Sequence, residues 1–257
     1  MKKLTKQQVI ELCDKYQSGY STYKLAKIFN ISNVAVSGLL KRRNIKMRNR
    51  SESMQHINLN ESIFDNITEE SAYWIGFLMA DGCIYNRKNE SSELSVVLSS
   101  KDYDHLIKFR SFLESQHAII SINKGLSFRF SVKSNKLAYS ISKYGVLPKK
   151  SLTASVSMLE NDPHFWRGVI DGDGSLGKYK SGISIRLVGS KFLLEQFIDF
   201  IKLNIPECNV NVRPHKSIYC VSVCGKFAMP IMKILYDNSS VFLDRKKQIF
   251  NSLSNSR

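Results

Sequence analysis

Acidic side chains are scarce. The 257 residues carry 22 Asp and Glu against 38 Lys and Arg, a formal net charge of +16. That balance excludes a mainly acidic or neutral ligand surface and points to a polyanionic partner, most simply nucleic acid. Cysteine is sparse and without CxxC spacing: Cys13, Cys83, Cys208, Cys220 and Cys224. Cys220 and Cys224 share a strand face with Cys208 and His215 nearby, but no second pair completes a zinc-site spacing, so buried apolar cysteines in a reducing compartment are expected. No apolar run reaches membrane length, because the longest, Ala72 to Ala80, is about half of what a span needs. The opening MKKLTKQQVIELC breaks into Gln, Glu and Asp before any signal-length apolar region, so a cytoplasmic location is expected. With 43% apolar residues the chain has material for a sizeable core, and its length suits one large domain or two smaller ones.

The positive charge is uneven, since residues 1–50 hold twelve Lys and Arg against only Glu11 and Asp14. Three helices are expected there. Val9, Ile10, Leu12, Cys13 and Tyr16 follow Thr5 as a cap; Leu25, Ala26, Ile28 and Phe29 follow Ser21; Val34, Val36, Leu39 and Leu40 follow Ser32. Small Ala26, a turn at Asn30 and Val36 as the plug resemble a helix-turn-helix unit. The outward face of its third helix is expected to carry Asn33, Ala35, Ser37, Lys41 and Arg42, polar groups and cations suited to a major groove. A plain three-helix bundle with solvated charges is the alternative. Residues 43–50 read as a basic strap over phosphates, and 51–68 as a polar linker.

Self-similarity is the strongest signal. WIGFLMADG at 74–82 returns as WRGVIDGDG at 166–174, with Trp, Gly, Asp and Gly each recurring 92 residues on. FRFSV at 128–132 parallels YCVSV at 219–223, and PKKS at 148–151 parallels DRKK at 244–247. The chain therefore holds two copies of one module, over 69–155 and 156–257, each expected to run helix, two strands, helix, two strands, helix.

Strand alternation puts Leu94, Val96, Leu98, Phe128, Phe130 and Val132 inward in the first copy, and Ile183, Ile185, Leu187, Val210 and Val212 inward in the second. The opposite faces are polar and basic, forming one long concave surface for DNA. Arg87, Ser95, Lys101, Arg129 and Lys133 are the expected contacts from one copy, and Arg186, Lys191 and Arg213 from the other.

Gly76 and Ala80 in one motif helix, and Gly168 and Gly172 in the other, are small residues four apart, which permits close helix contact. Gly82 and Gly174 read as left-handed caps. Asp81 and Asp173 then meet at two helix C-termini, where negative dipole ends add to two charges, so a cation is expected beside them. Hard divalent ions suit these carboxylates with the carbonyls of Ala80 and Gly172: two or more Mg²⁺, with Mn²⁺ as a substitute. Metal between two carboxylates beside a DNA cradle supplies the parts for phosphodiester hydrolysis.

These nonapeptides, their spacing, KYGVLPKKSLT at 143–153 and ILYDNSSVFLDRKKQIF at 234–250 resemble the LAGLIDADG homing endonucleases in their single-chain, two-motif form. The likeness covers residues 69 to 257. It implies an α+β fold of two pseudo-symmetric αββαββα repeats forming a saddle, a monomer recognising a long double-stranded DNA site, and double-strand cleavage with short 3′ overhangs. It also implies that Asp81 and Asp173 hold the essential acidic position, and that lysines near the sheet ends assist. Lys150 and Lys246 are the matching choices, as catalytic groups or as phosphate clamps, with Lys101 and Lys191 behind them. The family's first Asp is kept as Asp171 but is Met79 in the first copy, so this position is read as capping or packing.

Other readings remain. DGDGSLGKYKSG at 171–182 is no calcium loop, because Gly182 stands where a bidentate Glu is required. The start at Met1 and the ending NSLSNSR lack splicing residues, so a free-standing protein is expected rather than an intein. A non-cleaving DNA-binding regulator on the same scaffold, or an RNA maturase, is the alternative to an endonuclease.

Overall fold

Among the described residues, each helix of the N-terminal region starts at a side-chain cap. Thr5 and Gln8 form a reciprocal capping box at the head of α1 (Lys6–Gln17), Ser21 caps α2 (Thr22–Phe29) and Ser32 caps α3 (Asn33–Arg42). Each cap contributes about 1 kcal/mol by satisfying an orphan amide. Asn30 ends α2 in the left-handed conformation, φ 52°, and turns the chain into α3. The computed structural model describes residues 4–48, 58–179 and 182–255, and the chain divides between Asn58 and Leu59 into two compact units.

The first unit closes on Leu12, Tyr16, Leu25, Phe29, Val36 and Leu40. Ile28, expected inward, is instead exposed, as are Ile10 and Val34. The short helices described there share only a narrow buried stripe each, and residues beside that stripe stay in water. The expected strap also differs. Ile45 and Met47 pack on this core, the Arg48 amide donates to the Tyr16 hydroxyl at 2.9 Å, and the Arg48 guanidinium lies 4.2 Å from the Tyr16 ring centre. An alternating apolar pattern within a basic run folds this segment back; its last two residues, 49 and 50, lie outside the described residues.

The second unit has two four-stranded antiparallel sheets of identical order, β1-β2-β4-β3 and β5-β6-β8-β7. The first follows α4 (Glu69–Asp81) and comprises β1 (Gly82–Tyr85), β2 (Glu93–Ser99), β3 (Ile120–Ile122) and β4 (Ser127–Lys133). Helix α5 (Tyr103–Phe112) joins β2 to β3, and α6 (Asn135–Ser142) follows β4. The second follows α7 (Pro163–Asp173) with β5 (Gly174–Tyr179), β6 (Gly182–Gly189), β7 (Arg213–His215) and β8 (Ile218–Cys224). Helix α8 (Lys191–Asn204) lies between β6 and β7, and α9 (Ala228–Tyr236) and α10 (Asp244–Ser254) end the described chain. Among the described residues no helix is long and apolar enough to cross a membrane.

Alternation places Leu94, Val96, Phe130 and Val132, with Ile185, Leu187, Val221 and Val223, against one continuous core that includes both Trp74 and Trp166. Truncating either fully buried indole would cost about 3–5 kcal/mol. Val210 and Val212 pack on that core from irregular chain before β7 and are not strand residues. The expected linker is also shorter. Phe64 is buried with its ring 5.4 Å from that of Phe112, and Leu59 and Ile63 pack beside it, so 59–68 belongs to the second unit. Three apolar residues among polar ones suffice to anchor it. Residues 51–57 lie outside the described residues.

Candidate active site at the paired helix ends

Helices α4 and α7 touch through their backbones. A Cβ on Gly76 would sit 2.0 Å from the Phe165 carbonyl oxygen, and one on Gly168 would sit 2.1 Å from that of Tyr73. Both glycines are there for proximity, as the small-residue spacing predicts. Gly82 and Gly174 serve differently from expectation: they leave the helix in extended conformation, at φ −77° and −92°, not in the left-handed cap. Glycine is required because a Cβ would meet the Leu78 or Ile170 carbonyl oxygen at 2.6 Å as the chain bends directly from helix into strand.

That bend leaves Asp81 and Asp173 at the ends of the two touching helices. A Cβ on Gly172 would lie 3.3 Å from Asp81 Oδ2, so the second helix grazes the first carboxylate. Burial, and then the Asp173 charge, push the Asp81 carboxyl up to about 6. Asp173 keeps an open side to solvent, yet crowding by the helix ends desolvates and raises its carboxyl as well, against the opposing pull of Lys246 and Lys150. No hydrogen bond within the described residues relieves either group.

Lys150 and Lys246 occupy equivalent places in the two copies. Lys150, at a 3-10 turn over Lys150–Leu152, donates to the Gly82 carbonyl; Lys246, on α10, donates to that of Gly174 at 2.8 Å. Lys246 also reaches the carbonyls of Ile170 at 2.5 Å and Asp171 at 2.6 Å, so its three protons all serve the end of α7. Burial lowers both lysines, Lys246 to about 8, although its carbonyl acceptors favour the charged form. Sequence reasoning set these lysines toward a phosphate; the structure sets them first against the helix ends.

Asp171 is fully buried. It accepts from the hydroxyls of Tyr73 at 2.7 Å and Tyr236 at 2.6 Å and from the Leu243 amide at 2.7 Å. His105 Nε2 lies 3.0 Å from the Tyr73 oxygen; burial pushes this imidazole down to about 3, so it is neutral. Arg167, also inside, donates to the carbonyls of Val241 and Leu235 and to Glu69. Met79, at the position matching Asp171, fills core. Arg245 pairs with Asp102 of the first copy at 3.0 Å. Sequence reasoning missed Arg167 and Arg245; the only available signal was a cation inside an apolar motif helix and another within the run DRKK.

The expected DNA contacts divide into two sets. Arg87, Lys101, Arg129, Lys133 and Arg213 are exposed, with Arg129 and Lys133 on one face of β4 and Lys133 paired to Glu90 at 2.5 Å. Lys191 is exposed, 3.7 Å from Glu195. Arg186 is half-buried on β6. Ser95 is a correction: it is buried between Cys83 and Ser131 on the neighbouring strands, because a short side chain in a middle strand is overtopped. In the first unit Lys41 and Arg42 are exposed, whereas Asn33 and Ser37 are half-buried, Asn33 Oδ1 has no solvent contact, and the Ser37 hydroxyl donates to the Asn33 carbonyl at 3.1 Å. The latter pair is therefore not outward, since both flank the buried stripe.

Two carboxylates do not cage a metal unaided, and the described residues contain no cluster of three or more His, Cys, Asp or Glu side chains able to do so. The donor set is nonetheless hard oxygen, and two carboxylates lacking hydrogen-bond partners fit a divalent ion that takes its remaining ligands from main-chain carbonyls and a phosphate.

No protein-family profile matches the chain. The LAGLIDADG meganuclease I-AabMI bound to uncleaved DNA aligns with a TM-score of 0.51 at 15% identity, covering 74% of this chain and 91% of that one. The meganuclease I-SmaMI bound to uncleaveable DNA with a TTGT central four gives 0.51 at 14% identity, covering 74% and 88%. This likeness defines the fold: α+β, with two four-stranded antiparallel sheets, as in the LAGLIDADG meganucleases. In sequence, a DNA polymerase of Acanthamoeba polyphaga mimivirus is 30% identical over 130 residues, 44% of this chain. The chain spans only 7% of that protein's length.

Proposed function

We propose that this chain is a site-specific endonuclease that cuts both strands of duplex DNA at phosphates held against Asp81 and Asp173. The observation that carries this reading is the pair of carboxylates without hydrogen-bond partners at two helix ends in backbone contact, Asp81 lifted by burial to about 6 and Asp173, open to solvent on one side, raised in the same direction. A fold pays such an electrostatic cost where a cation is to be bound. Both structural neighbours hold DNA, and the exposed Arg129, Lys133 and Arg213 offer phosphate and base contacts from the sheets.

Asp81, Asp173 and the carbonyls of Ala80 and Gly172 would hold Mg²⁺, which supplies a more acidic water and charge neutralisation at the scissile phosphate. The chain's own residues fix the geometry. Gly76 and Gly168 set the separation of the two acids; Lys150 and Lys246 neutralise the helix ends; Asp171 holds the segment that delivers Arg245 and Lys246. The two basic sheet faces form a saddle on the duplex, the protein acts as a monomer with internal pseudo-two-fold symmetry, and α2 and α3 act as a helix-turn-helix that adds a second DNA contact.

The test is cleavage of a randomised plasmid library in Mg²⁺ with sequencing of the ends. Discrete ends, absent with Asp81→Asn and Asp173→Asn, are the expected result. Folded, DNA-binding protein that yields none would make it a regulator.

A further inference from the structure

Two residues of α3 are costly to their own unit and useless to its core. Val34 is 80% exposed on the second helical position, where a β-branched side chain lowers helix propensity and buries nothing. Gly38, one turn on, has no requirement for lacking a side chain: its φ is not positive, and a Cβ built on it meets nothing within 4 Å. Glycine inside a helix is the least favourable choice after proline. Neither packing nor backbone conformation explains either residue.

Val34, Gly38, Lys41 and Arg42 lie along the face of α3 turned away from Val36 and Leu40, and Lys41 and Arg42 are exposed. The face is thus apolar at its start, bare in the middle and cationic at its end. Residues 1–50 carry twelve Lys and Arg against two acidic residues, so the partner this face complements is anionic. A major groove has the matching features: phosphates at its edge, and the thymine C5-methyl as its apolar element.

We infer that Val34 and Gly38 form the base-reading contact of α3: Val34 packs on a thymine methyl, and the missing side chain at Gly38 lets the helix approach the base edges closely. This rests on the helix-turn-helix reading above and replaces Asn33 and Ser37 as its specificity determinants.

The experiment uses the full chain and a duplex selected by it from a random-sequence pool. Replacing thymines singly by uracil removes only the methyl group. At one or two positions this should weaken binding about fivefold, and Val34→Ala should weaken binding equally while erasing the uracil effect there. Gly38→Ala should raise the thermal midpoint and yet weaken binding tenfold or more, so loss of fold is separated from loss of contact. Lys41→Ala and Arg42→Ala should lower affinity and flatten its salt dependence. If these two weaken binding while Gly38→Ala and Val34→Ala do not, the inference is overturned and the helix-turn-helix reading stands. If none of the four changes binding, both fall.

Discussion

Lys246 donates to the main-chain carbonyl of Asp171 at 2.6 Å, while the Asp171 side chain accepts the amide of Leu243, three residues before that lysine. The two residues close a loop of hydrogen bonds that ties the end of α7 to the start of α10. Their charges lie close enough that Asp171 raises the lysine's affinity for its proton, against burial.

Lys246→Met should therefore lower stability as well as cutting. Its removal leaves three carbonyls short of a donor, and a buried charged hydrogen-bonding group of this kind contributes roughly 2–4 kcal/mol. Lys150→Met, which frees one carbonyl, should cost less than half as much. Denaturant midpoints and single-turnover cutting, measured on both variants, separate the effects; equal and negligible shifts in midpoint would show that the lysines do not hold the helix ends.

The acidic pair should be destabilising in metal-free protein. Asp81 has a folded-state value near 6 against about 3.9 in an unfolded chain. Between those values the native state binds the extra proton, so stability falls as pH rises through 6. Asp81→Asn should then be more stable than the parent at pH 8, by roughly 2–3 kcal/mol, with the gap closing toward pH 4. Thermal melts with EDTA at both pH values test the sign. Mg²⁺ should raise the parent's midpoint and not the variant's.

Cutting should follow the same group. Below pH 6 the rate in dilute Mg²⁺ should fall about tenfold per unit as Asp81 takes up its proton, and more Mg²⁺ should move the limb to lower pH. A rate independent of pH from 5 to 8 would remove Asp81 from the metal site.

Truncation is set by the unit boundary. Deleting residues 1–58 should leave the second unit folded and cutting at the same phosphates, with weaker binding and a salt slope smaller by about 0.9 per lost phosphate contact. Deleting ten more residues removes Phe64 and should lower the melting temperature, since an aromatic side chain is lost from a sealed site. Footprints and melts on the two truncations distinguish loss of contact from loss of core.

The duplication was legible because it is written in residue identity: Trp, Gly, Asp and Gly recur at one offset, and strand alternation followed from the period of two. Binary pattern does not show which of several apolar residues a small bundle has room for, so Ile28 reads as core and is exposed. Nor does a Gly after a helix declare its φ, which is why Gly82 and Gly174 read as left-handed caps. The contacts of Asp171, Arg167 and Lys246 join residues some seventy positions apart, and no local period encodes such pairs.

The contact at Gly76 and Gly168 fixes how far apart the two helix ends that carry Asp81 and Asp173 stand by the collision of main chains, which have no rotamers with which to adjust. A pair of acids placed by such a seam is a rigid caliper. On the endonuclease reading proposed above, sequence change elsewhere in either half would alter which bases are read and leave the interval between the two attacked phosphates constant. On that reading the halves are free to diverge in what they recognise, and an exchange of one half for another succeeds or fails first at two hydrogen atoms, those standing where any other residue would carry a Cβ.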